Sequence, residues 1–479
     1  MEKSALFTDY YSLTMAQGYW KTKRDQNAVF EMFFRKPPFG GGYAVFAGLG
    51  TLLESLQKLS FSDDDIAWLR SLKTFDDSFI DYLKTFCFKG SLWAMDEGTT
   101  VFPHEPLIRI EGGLVECQLI EGLLLNTINF QTLIATKTRR IWLAAGKSSV
   151  MEFGLRRAHG PDGALSASRA AFIGGAAGTS NTQAGKVFGI PVMGTMAHAW
   201  IMSFDDEEDA FDAYASLYPD KTIFLIDTYD TLKSGIQNAI KAGKKLAASG
   251  KNFGVRLDSG DIQYLSTEVR RRLDEAGLQK AFITVSNDLD ETIIETLVRE
   301  KAPVDSWGVG TRLVTGNNDS ALSGVYKLSA LMGADKPVPV MKFSDNPEKT
   351  TNPGIKQVWR VKDRSGFTVA DVLGIDGGGD DLLPGKSYNF WHPSADYRHF
   401  SHLIEGAAAP LLKKRIDKGL ICREHPALAD IRSFAAADLD SFDSTYKRLL
   451  NPHIYKVSIT EKLRGLKLQL IEKHFGSKD

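Results

Sequence analysis

The stretch "TIFLIDTYDTLKSGIQNAIKAGKKLAASGKNFGVRLD" (residues 222–258) contains the pattern that decides the fold. It begins with an apolar run that ends in Asp227 and continues through a polar loop into a helix-like stretch at 231–249. A second apolar run then ends in Asp258. The order strand, helix, strand predicts a βα unit of a parallel sheet or barrel, because parallel strands need a crossover between them.

The same alternation extends over the central part of the chain. The apolar runs that we interpret as strands lie at 148–154, 190–195, 222–227, 252–258, 281–288 and 305–311. Helix-like stretches such as 231–249 and 289–300 separate them. The spacing alone fits an open sheet as well as a barrel. We place this domain at residues 147–335.

The two ends of the chain carry mixed patterns. The predicted elements are strands at 28–36 and 106–113, a helix at 60–72 and a long buried helix, broken once, at 115–146. We predict an N-terminal α+β domain at residues 1–146. A C-terminal segment at residues 336–479 is expected to pack on this domain.

Composition limits the classes of function. The chain has 479 residues with 58 basic and 59 acidic side chains, and this balance argues against a general nucleic-acid or anionic-membrane surface. The three cysteines, Cys87, Cys117 and Cys422, form no CxxC pair, so we expect neither disulfides nor a cysteine zinc site. Asp9 interrupts the region where a signal peptide needs an apolar run, and no apolar run of about eighteen residues occurs. We therefore expect a cytoplasmic protein without a membrane span.

Polar residues follow the predicted strands. The motifs at these ends are EFGLRR (152–157), GTMAH (194–198), IDTYD (226–230), RLDSGD (256–261), VSND (285–288) and GVGTR (308–312). The carboxyl ends of parallel strands meet at one edge of a sheet, so the whole series predicts an active site there. For any single motif, a helix cap is the simpler interpretation.

His198 and Asp227 end two consecutive strands of this prediction. A lone histidine near a core is most often a structural group. A neighbouring carboxylate changes that interpretation, because it would fix the tautomer of the imidazole. We expect Asp227 to pair with His198, an arrangement that serves general-base catalysis or nucleophilic attack by the ring nitrogen.

The motif that begins at Arg256 gathers two acids and an arginine. Arg256, Asp258 and Asp261 suit a sugar with free hydroxyls and a bound divalent cation, which requires oxygen ligands.

Two further segments carry weaker signals for anion binding. The small-residue loop at 174–182 runs into a helix as phosphate-binding loops do, but it lacks the lysine of a Walker motif. Arg35 and Lys36 follow a predicted strand, and a solvated basic pair is an equally good interpretation of them.

Taken in order, these motifs resemble those of the nicotinate phosphoribosyltransferase family. The resemblance covers about residues 6 to 330 and continues at 448–458. The matching segments are "FTDYYSLTMAQGYW" (7–20), "FEMFFRKPPFGGGYAVFAGL" (30–49), "EFGLRRAHGPDGALSASRAAFIGGAAGTSN" (152–181), "PVMGTMAHAW" (191–200), "LIDTYDTLKSG" (225–235), "VRLDSGD" (255–261) and "GVGTRLVTG" (308–316). The resemblance implies an irregular α/β barrel and a second α+β domain formed by the N-terminal and C-terminal segments.

The resemblance also implies a reaction. Nicotinate would displace pyrophosphate from phosphoribosyl pyrophosphate and give nicotinate mononucleotide for NAD biosynthesis. Mg²⁺ would be the cofactor and ATP a co-substrate, hydrolysed through a phosphohistidine. By the family pattern His198 is the phosphorylated residue and Asp227 orients it. A cytoplasmic homodimer with shared active sites is expected.

Roles for the other candidate residues follow from the family pattern as well. Phe153 and Tyr11, the latter supplied by the second subunit, would sandwich the pyridine ring. Arg156 would lie beside the nicotinate and phosphate groups. Asp258 would bind ribose hydroxyls or the metal, with Arg256 nearby. The remaining candidates are Gly308, Gly310, Thr311 and Arg312 for the ribose 5-phosphate, and Arg35, Lys36 and Lys327 for pyrophosphate.

Ser180 distinguishes this sequence from the related nicotinamide phosphoribosyltransferases, which carry an aspartate at that position. A serine can donate a hydrogen bond to a carboxylate, whereas an aspartate would repel it. The sequence therefore predicts nicotinate rather than nicotinamide as the substrate.

Three other classes of function remain compatible with parts of the pattern. The nearest are a nicotinamide or quinolinate phosphoribosyltransferase, and Ser180 argues against nicotinamide. A catalytically inactive protein that binds a nucleotide or phosphosugar is a second alternative, and the presence of His198, Asp227 and Asp258 argues against it. A metal-dependent aldolase-type barrel would need a Schiff-base lysine within a strand, and the six predicted strands contain none.

Overall fold

The computed structural model describes residues 4–346, 349–395 and 397–476. The chain forms two compact units: a central unit, Ile134–Ser320, and a two-segment unit made of Met1–Leu133 and Ala321–Asp479. The sequence placed the boundaries at 146/147 and 335/336 instead. The continuous helix Glu121–Ala144 crosses the boundary between Leu133 and Ile134. The strand that follows Ser320 pairs with the N-terminal segment.

The N-terminal segment alternates helices with antiparallel strands. Its elements are α1 (Tyr10–Thr22), β1 (Asn27–Phe34), β2 (Ala44–Val45), α2 (Leu49–Lys58), α3 (Asp63–Ser71), α4 (Asp77–Leu83), β3 (Ser91–Ala94), β4 (Thr100–Val101), β5 (Ile108–Gly113), α5 (Leu114–Leu119) and α6 (Glu121–Ala144). Ser62 and Asp65 form a reciprocal capping box that starts α3, because each side chain bonds the other's backbone N–H. The long helix predicted at 115–146 is broken once, at Ile120, between α5 and α6.

The central unit follows the predicted strand–helix alternation. Its elements are β6 (Ser149–Glu152), α7 (Gly160–Gly174), β7 (Gly178–Thr179), α8 (Thr182–Phe188), α9 (His198–Met202), α10 (Glu207–Leu217), β8 (Ile223–Leu225), α11 (Ile236–Ala248), β9 (Gly254–Leu257), α12 (Ile262–Glu275), β10 (Phe282–Val285), α13 (Glu291–Arg299), β11 (Ser306–Val309) and α14 (Thr311–Val314). Among the described residues, the sheet has the order β7-β6-β11-β10-β9-β8, and all of its strand pairs are parallel.

Helix α11 shows why these segments form helices that cover the sheet. Its buried side chains, Ile236, Ala239, Ala242 and Leu246, recur every three or four residues and form one apolar face. Gly243 lies on the same face, and a Cβ atom added there would stand 2.1 Å from the Phe253 ring, which leads into β9. Glycine at this position therefore allows the helix to approach the strand closely.

The predicted strand at 190–195 is wrong in part. This segment forms only an isolated bridge, Val192 to Thr179, and the strand of the sheet here is β7. Thr179 donates its N–H to the Pro191 carbonyl, and Met193 donates its N–H to the Thr179 carbonyl. Pro191 has no N–H to donate to a ladder, so the segment does not extend into a strand.

The C-terminal segment of the two-segment unit is rich in antiparallel strands. Its elements are β12 (Gly324–Met332), β13 (Pro337–Pro339), β14 (Lys356–Lys362), β15 (Thr368–Ile375), β16 (Ser387–Trp391), β17 (His399–Leu403), β18 (Ala408–Pro410), β19 (Lys413–Asp417), β20 (Leu420–Ile421), α15 (Leu428–Asp440), β21 (Val457–Thr460) and α16 (Glu461–Phe475). In the part of the chain that the structure describes, no helix has the length and apolar character needed to cross a membrane.

One sheet of this unit contains strands from both ends of the chain. Its order is β13-β12-β1-β5-β3-β19-β20, and β1 pairs antiparallel with β5 on one side and β12 on the other. A second sheet, β17-β16-β21-β15-β14-β18, comes from the C-terminal segment alone. The predicted fold class, an irregular α/β barrel-type domain and a second α+β domain formed by both chain ends, is confirmed.

A buried ion pair joins the two segments and gives a first prediction, on stability. Glu31 in β1 lies 2.8 Å from the Lys356 Nζ in β14, and both side chains are buried. Lys356→Met is expected to destabilise the fold by about 3–5 kcal/mol at neutral pH, because it leaves an unpaired buried carboxylate. Urea unfolding measures this loss. The double variant Glu31→Met/Lys356→Met should recover most of it.

The same pair predicts the pH dependence of that loss. Burial raises the pKa of Glu31, with Lys356 acting in the opposite direction. A folded-state pKa above the unfolded value means that this carboxyl group favours folding at low pH and disfavours it as the pH rises. The deficit of Lys356→Met should therefore shrink on acidification. A deficit that is absent at neutral pH, or that grows in acid, would contradict this account.

Candidate functional site

The acidic residues at the strand ends of the central unit fall into two groups. Asp230, Asp261 and Asp290 each accept backbone N–H groups at the start of the helical turn that follows, so they serve as helix caps. Asp227 and Asp258 cap no helix: Asp227 bonds to the loop after β9, and Asp258 bonds to Arg256 and to Ser286, which follows β10. The simpler interpretation thus holds for the first group, and the second group forms the candidate site.

Asp258 is the centre of this site. Its Oδ1 lies 3.0 Å from the Arg256 guanidinium and accepts the Ser286 hydroxyl, while its Oδ2 lies 3.7 Å from Nε2 of His198. Burial by itself raises the pKa of Asp258, but Arg256, Ser286 and His198 together outweigh it, so the pKa lies below its ordinary value. The carboxylate is therefore held in its charged form beside a cation and an imidazole.

His198 is the first residue of α9 and its side chain is 40% exposed. Its Nδ1 lies 3.1 Å from the Thr228 hydroxyl, and its Nε2 faces Asp258. The expected His198–Asp227 pair is not formed. Asp227 Oδ2 instead accepts the N–H of Asp258 at 3.0 Å and the hydroxyl of Ser259 at 2.6 Å. The loop after β9 supplies these closer donors, so the carboxylate supports Asp258 and does not contact the imidazole.

Arg256, in β9, bonds to residues that follow β9 and β10 and to the segment that precedes α9. Besides Asp258, its guanidinium donates to the Ser286 hydroxyl at 2.9 Å and to the Thr195 hydroxyl at 2.6 Å. Its Cζ also lies 5.9 Å from the centre of the Phe153 ring. A guanidinium held by several acceptors loses little further freedom when an anion binds, which suits recognition of phosphate.

Two glycines, Gly308 and Gly310, border Phe153, and a larger residue at either position would displace Phe153. Its N–H donates to the Val309 carbonyl at 2.8 Å. A Cβ atom added at Gly308 would stand 2.7 Å from the Phe153 ring, and one at Gly310 would stand 3.1 Å from its carbonyl oxygen. Gly308 therefore lets the aromatic ring approach β11 closely, and Gly310 leaves room for the Phe153 backbone.

The chain shares its whole length with known proteins. The profile of the nicotinate phosphoribosyltransferase (NAPRTase) family matches residues 148–369, and the profiles of the N-terminal and C-terminal domains match residues 6–129 and 355–467. Nicotinate phosphoribosyltransferase of Bacillus subtilis is 42% identical over 470 residues, which cover 98% of this chain and 95% of that protein. The chain belongs to the nicotinate phosphoribosyltransferase family.

Further comparisons agree with this assignment in sequence and in fold. Human nicotinate phosphoribosyltransferase is 33% identical over 522 residues, which cover 96% of this chain and 95% of the human protein. The crystal structure of human nicotinic acid phosphoribosyltransferase superposes with a TM-score of 0.83 at 30% identity, and it covers 97% of this chain and 99% of that one. Nicotinate-nucleotide pyrophosphorylase from Pyrococcus furiosus shares the fold, with a TM-score of 0.70 at 24% identity over 91% of this chain and 95% of that one.

In this family member, the loop after β11 holds the residues predicted to bind the ribose 5-phosphate. Thr311 begins the short helix α14, and Arg312 lies 2.5 Å from the Asp290 carboxylate. Burial by itself raises the pKa of Asp290, but the N–H of Ile293 and the Arg312 guanidinium outweigh this effect, so the pKa lies below its ordinary value. Arg312 is therefore positioned by an ionised partner.

Arg156 and Ser180 border the Phe153 segment. Arg156 lies on the exposed turn Leu155–Arg157, and Ser180 follows β7, where it is half-buried and donates its N–H to the Glu152 carbonyl at 2.9 Å. Both residues belong to segments that leave the same pair of parallel strands, β6 and β7.

The four remaining candidates lie in the two-segment unit. Tyr11 is 48% exposed on α1. The backbone N–H groups of Arg35 and Lys36 donate to the Ser323 hydroxyl at 3.2 and 3.0 Å. Lys327 on β12 is half-buried, and burial is the main reason that its pKa lies below the ordinary value. These residues retain their family-implied roles as predictions.

Sequence reasoning missed three hydroxyl groups of the site. Thr195, Thr228 and Ser286 bond to Arg256, His198 and Asp258. Each lies inside a strand-end motif, which was the available signal. Their residue types are also typical of ordinary helix caps and turns, so type alone could not identify them.

Proposed function

We propose that the protein catalyses the reaction of nicotinate with phosphoribosyl pyrophosphate, giving nicotinate mononucleotide and pyrophosphate for NAD biosynthesis, and couples this to ATP hydrolysis. Family membership over the full length supports the transfer reaction. The observation that carries the mechanism is the cluster of Arg256, Asp258, Ser286 and His198 at the strand ends.

The transfer breaks the bond between the ribose C1 and a pyrophosphate oxygen and forms a bond from C1 to the nicotinate nitrogen. C1 gains positive charge as the leaving group departs, so fixed charges around the sugar stabilise the transition state. The Asp258 carboxylate accepts hydrogen bonds from ribose hydroxyls beside that developing charge. Arg256 and Arg312 bind phosphate oxygens.

Phe153 provides the surface on which the pyridine ring stacks. Offset stacking binds an electron-poor ring modestly but with defined geometry. Tyr11 of the partner subunit covers the opposite face of the ring in a homodimer, and its exposure on α1 leaves it free to do so. Arg156, on an exposed turn beside Phe153, pairs with the nicotinate carboxylate.

His198 accepts the phosphoryl group of ATP. With its Nδ1 proton donated to Thr228, the lone pair on Nε2 attacks the γ-phosphorus and ADP leaves. The resulting phosphohistidine carries negative charge beside Asp258, where it helps to order the cation and the pyrophosphate. Water later cleaves the phosphorus–nitrogen bond and returns free histidine and phosphate.

The donor set fits Mg²⁺ bound partly by substrate. The described residues hold no cluster of three or more metal-ligating side chains, and Mg²⁺ usually binds one or two carboxylates together with substrate phosphates. Asp227 Oδ1 is buried without a hydrogen-bond partner, and the backbone N–H of Asp258, the residue after β9, donates to Asp227 Oδ2 at 3.0 Å. These two carboxylates would hold the ion, which neutralises charge on the leaving pyrophosphate when bound.

Ser180 gives a prediction on substrate choice. A Ser180→Asp substitution places a carboxylate opposite that of nicotinate, and two like charges in a half-buried site repel each other by several kcal/mol. The ratio of kcat/KM for nicotinamide to that for nicotinate should rise by about a hundred-fold. Competition assays with both substrates measure this ratio. Ser180→Ala, which adds no charge, should change it far less, and an unchanged ratio in Ser180→Asp would refute the assignment.

Product analysis tests the proposed function as a whole. The purified protein is incubated with nicotinate, phosphoribosyl pyrophosphate and Mg²⁺, with and without ATP, and the products are separated by chromatography. We expect nicotinate mononucleotide in both reactions and more of it with ATP, together with ADP. Absence of nicotinate mononucleotide from both would overturn the proposal.

A further inference from the structure

A buried carboxylate adjoins the candidate site and has no part in the reaction above. Glu152 is the last residue of β6, and its side chain is fully buried. Its Oε2 accepts the Thr179 hydroxyl at 2.5 Å and the Ser168 hydroxyl at 2.9 Å, and its Oε1 accepts the N–H of Gly154. A buried carboxylate is tolerated only when such donors satisfy it, so these contacts constrain both partners.

The groups that Glu152 binds adjoin the residues expected to contact the pyridine ring. The Gly154 N–H belongs to the peptide that follows Phe153, so the first contact fixes the turn that carries the ring. Thr179 precedes Ser180, and the N–H of Ser180 donates to the Glu152 backbone carbonyl at 2.9 Å. One side chain therefore ties the ring-stacking residue to the residue expected to select the substrate.

The hydrogen-bond network continues behind Glu152. Asn181 donates its side-chain amide to the Ser168 hydroxyl at 3.3 Å and its backbone N–H to the Thr179 hydroxyl at 3.0 Å. Its Oδ1 accepts the N–H of Ala184 and caps α8. The loop between β7 and α8, which holds Ser180, is thus bonded on both sides.

We propose that Glu152 is a positioning residue that fixes the distance between Phe153 and Ser180, and thereby sets the affinity and selectivity for the pyridine substrate. The inference rests on the proposed function. Glu152 acts through its neighbours, because its carboxylate is buried and fully engaged with protein donors. A carboxylate only accepts hydrogen bonds, so an amide at this position would turn an N–H₂ group toward existing donors and force them apart.

A Glu152→Gln variant tests this role with the two substrates varied separately. We expect KM for nicotinate to rise about ten-fold or more, with KM for phosphoribosyl pyrophosphate changed by less than about two-fold. The preference for nicotinate over nicotinamide should fall in the same variant. Glu207→Gln is the matched control, because Glu207 is a buried glutamate of the same unit that bonds Asn238 at 3.0 Å, and glutamine retains an acceptor for it.

A pair of variants at Thr179 provides a second test if Glu152→Gln folds poorly. Thr179→Ser retains the hydroxyl that donates to Glu152, whereas Thr179→Val replaces it with a methyl group of similar size. We expect KM for nicotinate to rise in Thr179→Val and to stay near the wild-type value in Thr179→Ser. Glu152 and Thr179 share one hydrogen bond, which either substitution disrupts. The rise in KM for nicotinate in the double variant Glu152→Gln/Thr179→Val should therefore be smaller than the product of the two single rises.

The possible results separate this inference from the proposed function. If Glu152→Gln raises both KM values equally, or if Thr179→Val behaves as Thr179→Ser does, the positioning role is wrong while the transfer reaction stands. A wild-type protein that forms no nicotinate mononucleotide would overturn the proposed function and, with it, this role.

Discussion

Asp258→Asn is expected to lower kcat/KM for phosphoribosyl transfer by about a thousand-fold. Asparagine has the shape of aspartate but removes the negative charge that lies 3.0 Å from the Arg256 guanidinium. It also presents an amide N–H₂ where the Ser286 hydroxyl now donates. The developing positive charge at the ribose C1 would lose its nearest fixed anion. Initial rates with each substrate varied in turn measure the loss.

The pH profile supplies a second measurement at the same residue. The pKa of Asp258 is below the ordinary value of 3.8, because the contacts with Arg256, Ser286 and His198 outweigh the effect of burial. The group therefore stays ionised as the pH falls through the usual range for aspartate, and the wild-type rate should show no loss from Asp258 above that value.

Asp230→Asn is the matched control for Asp258→Asn. Asp230 also follows a strand of the central unit, but it caps a helical turn, and asparagine caps nearly as well as aspartate. This control should keep kcat/KM within about three-fold of the wild type. Equal and small losses in Asp230→Asn and Asp258→Asn would contradict the assigned role of Asp258.

His198→Ala is expected to abolish the stimulation of transfer by ATP. Alanine removes the Nε2 atom that would accept the phosphoryl group, while the Arg256–Asp258 ion pair and the Phe153 ring stay in place. Basal transfer without ATP should therefore continue at a reduced rate. Two measurements check this: the ratio of rates with and without ATP, and the intact mass of the protein after incubation with ATP.

Wild-type protein should gain the mass of one acid-labile phosphoryl group, and His198→Ala should not. His399→Ala, which removes an exposed histidine of β17, is the control and should retain both phosphorylation and ATP stimulation. Full ATP coupling in His198→Ala would exclude the phosphohistidine at this position.

The sequence predicted the parts of the fold in which local pattern and tertiary structure agree. The apolar runs at 222–227 and 252–258 became β8 and β9, because each is long enough to signal a buried strand. Strand β7 escaped prediction because it consists of Gly178 and Thr179, a pair without apolar character. The apolar segment around Pro191 was wrongly predicted as a strand, since Pro191 lacks the N–H that a ladder needs.

The candidate site was predictable from topology more than from residue type. The rule that parallel strands end at one edge predicted that His198, Arg256 and Asp258 lie close together, and they do, although the segment before His198 is not a strand. It could not choose which carboxylate faces the imidazole, because that depends on the loop after β9, whose donors engage Asp227. Glu152 lies in the strand-end motif EFGLRR, but its role was not predicted, because a single acid at the end of an apolar run has many structural explanations.

The most direct test of the account is a crystal structure of the wild-type protein with nicotinate mononucleotide and pyrophosphate bound. The account predicts the pyridine ring stacked on Phe153 and pyrophosphate near His198. At Asp258 it predicts either ribose hydroxyls at a hydrogen-bond distance of about 3 Å or a bound metal ion. A product bound away from the carboxyl ends of β6, β9 and β11, or His198 and Asp258 turned from the ligand, would contradict it.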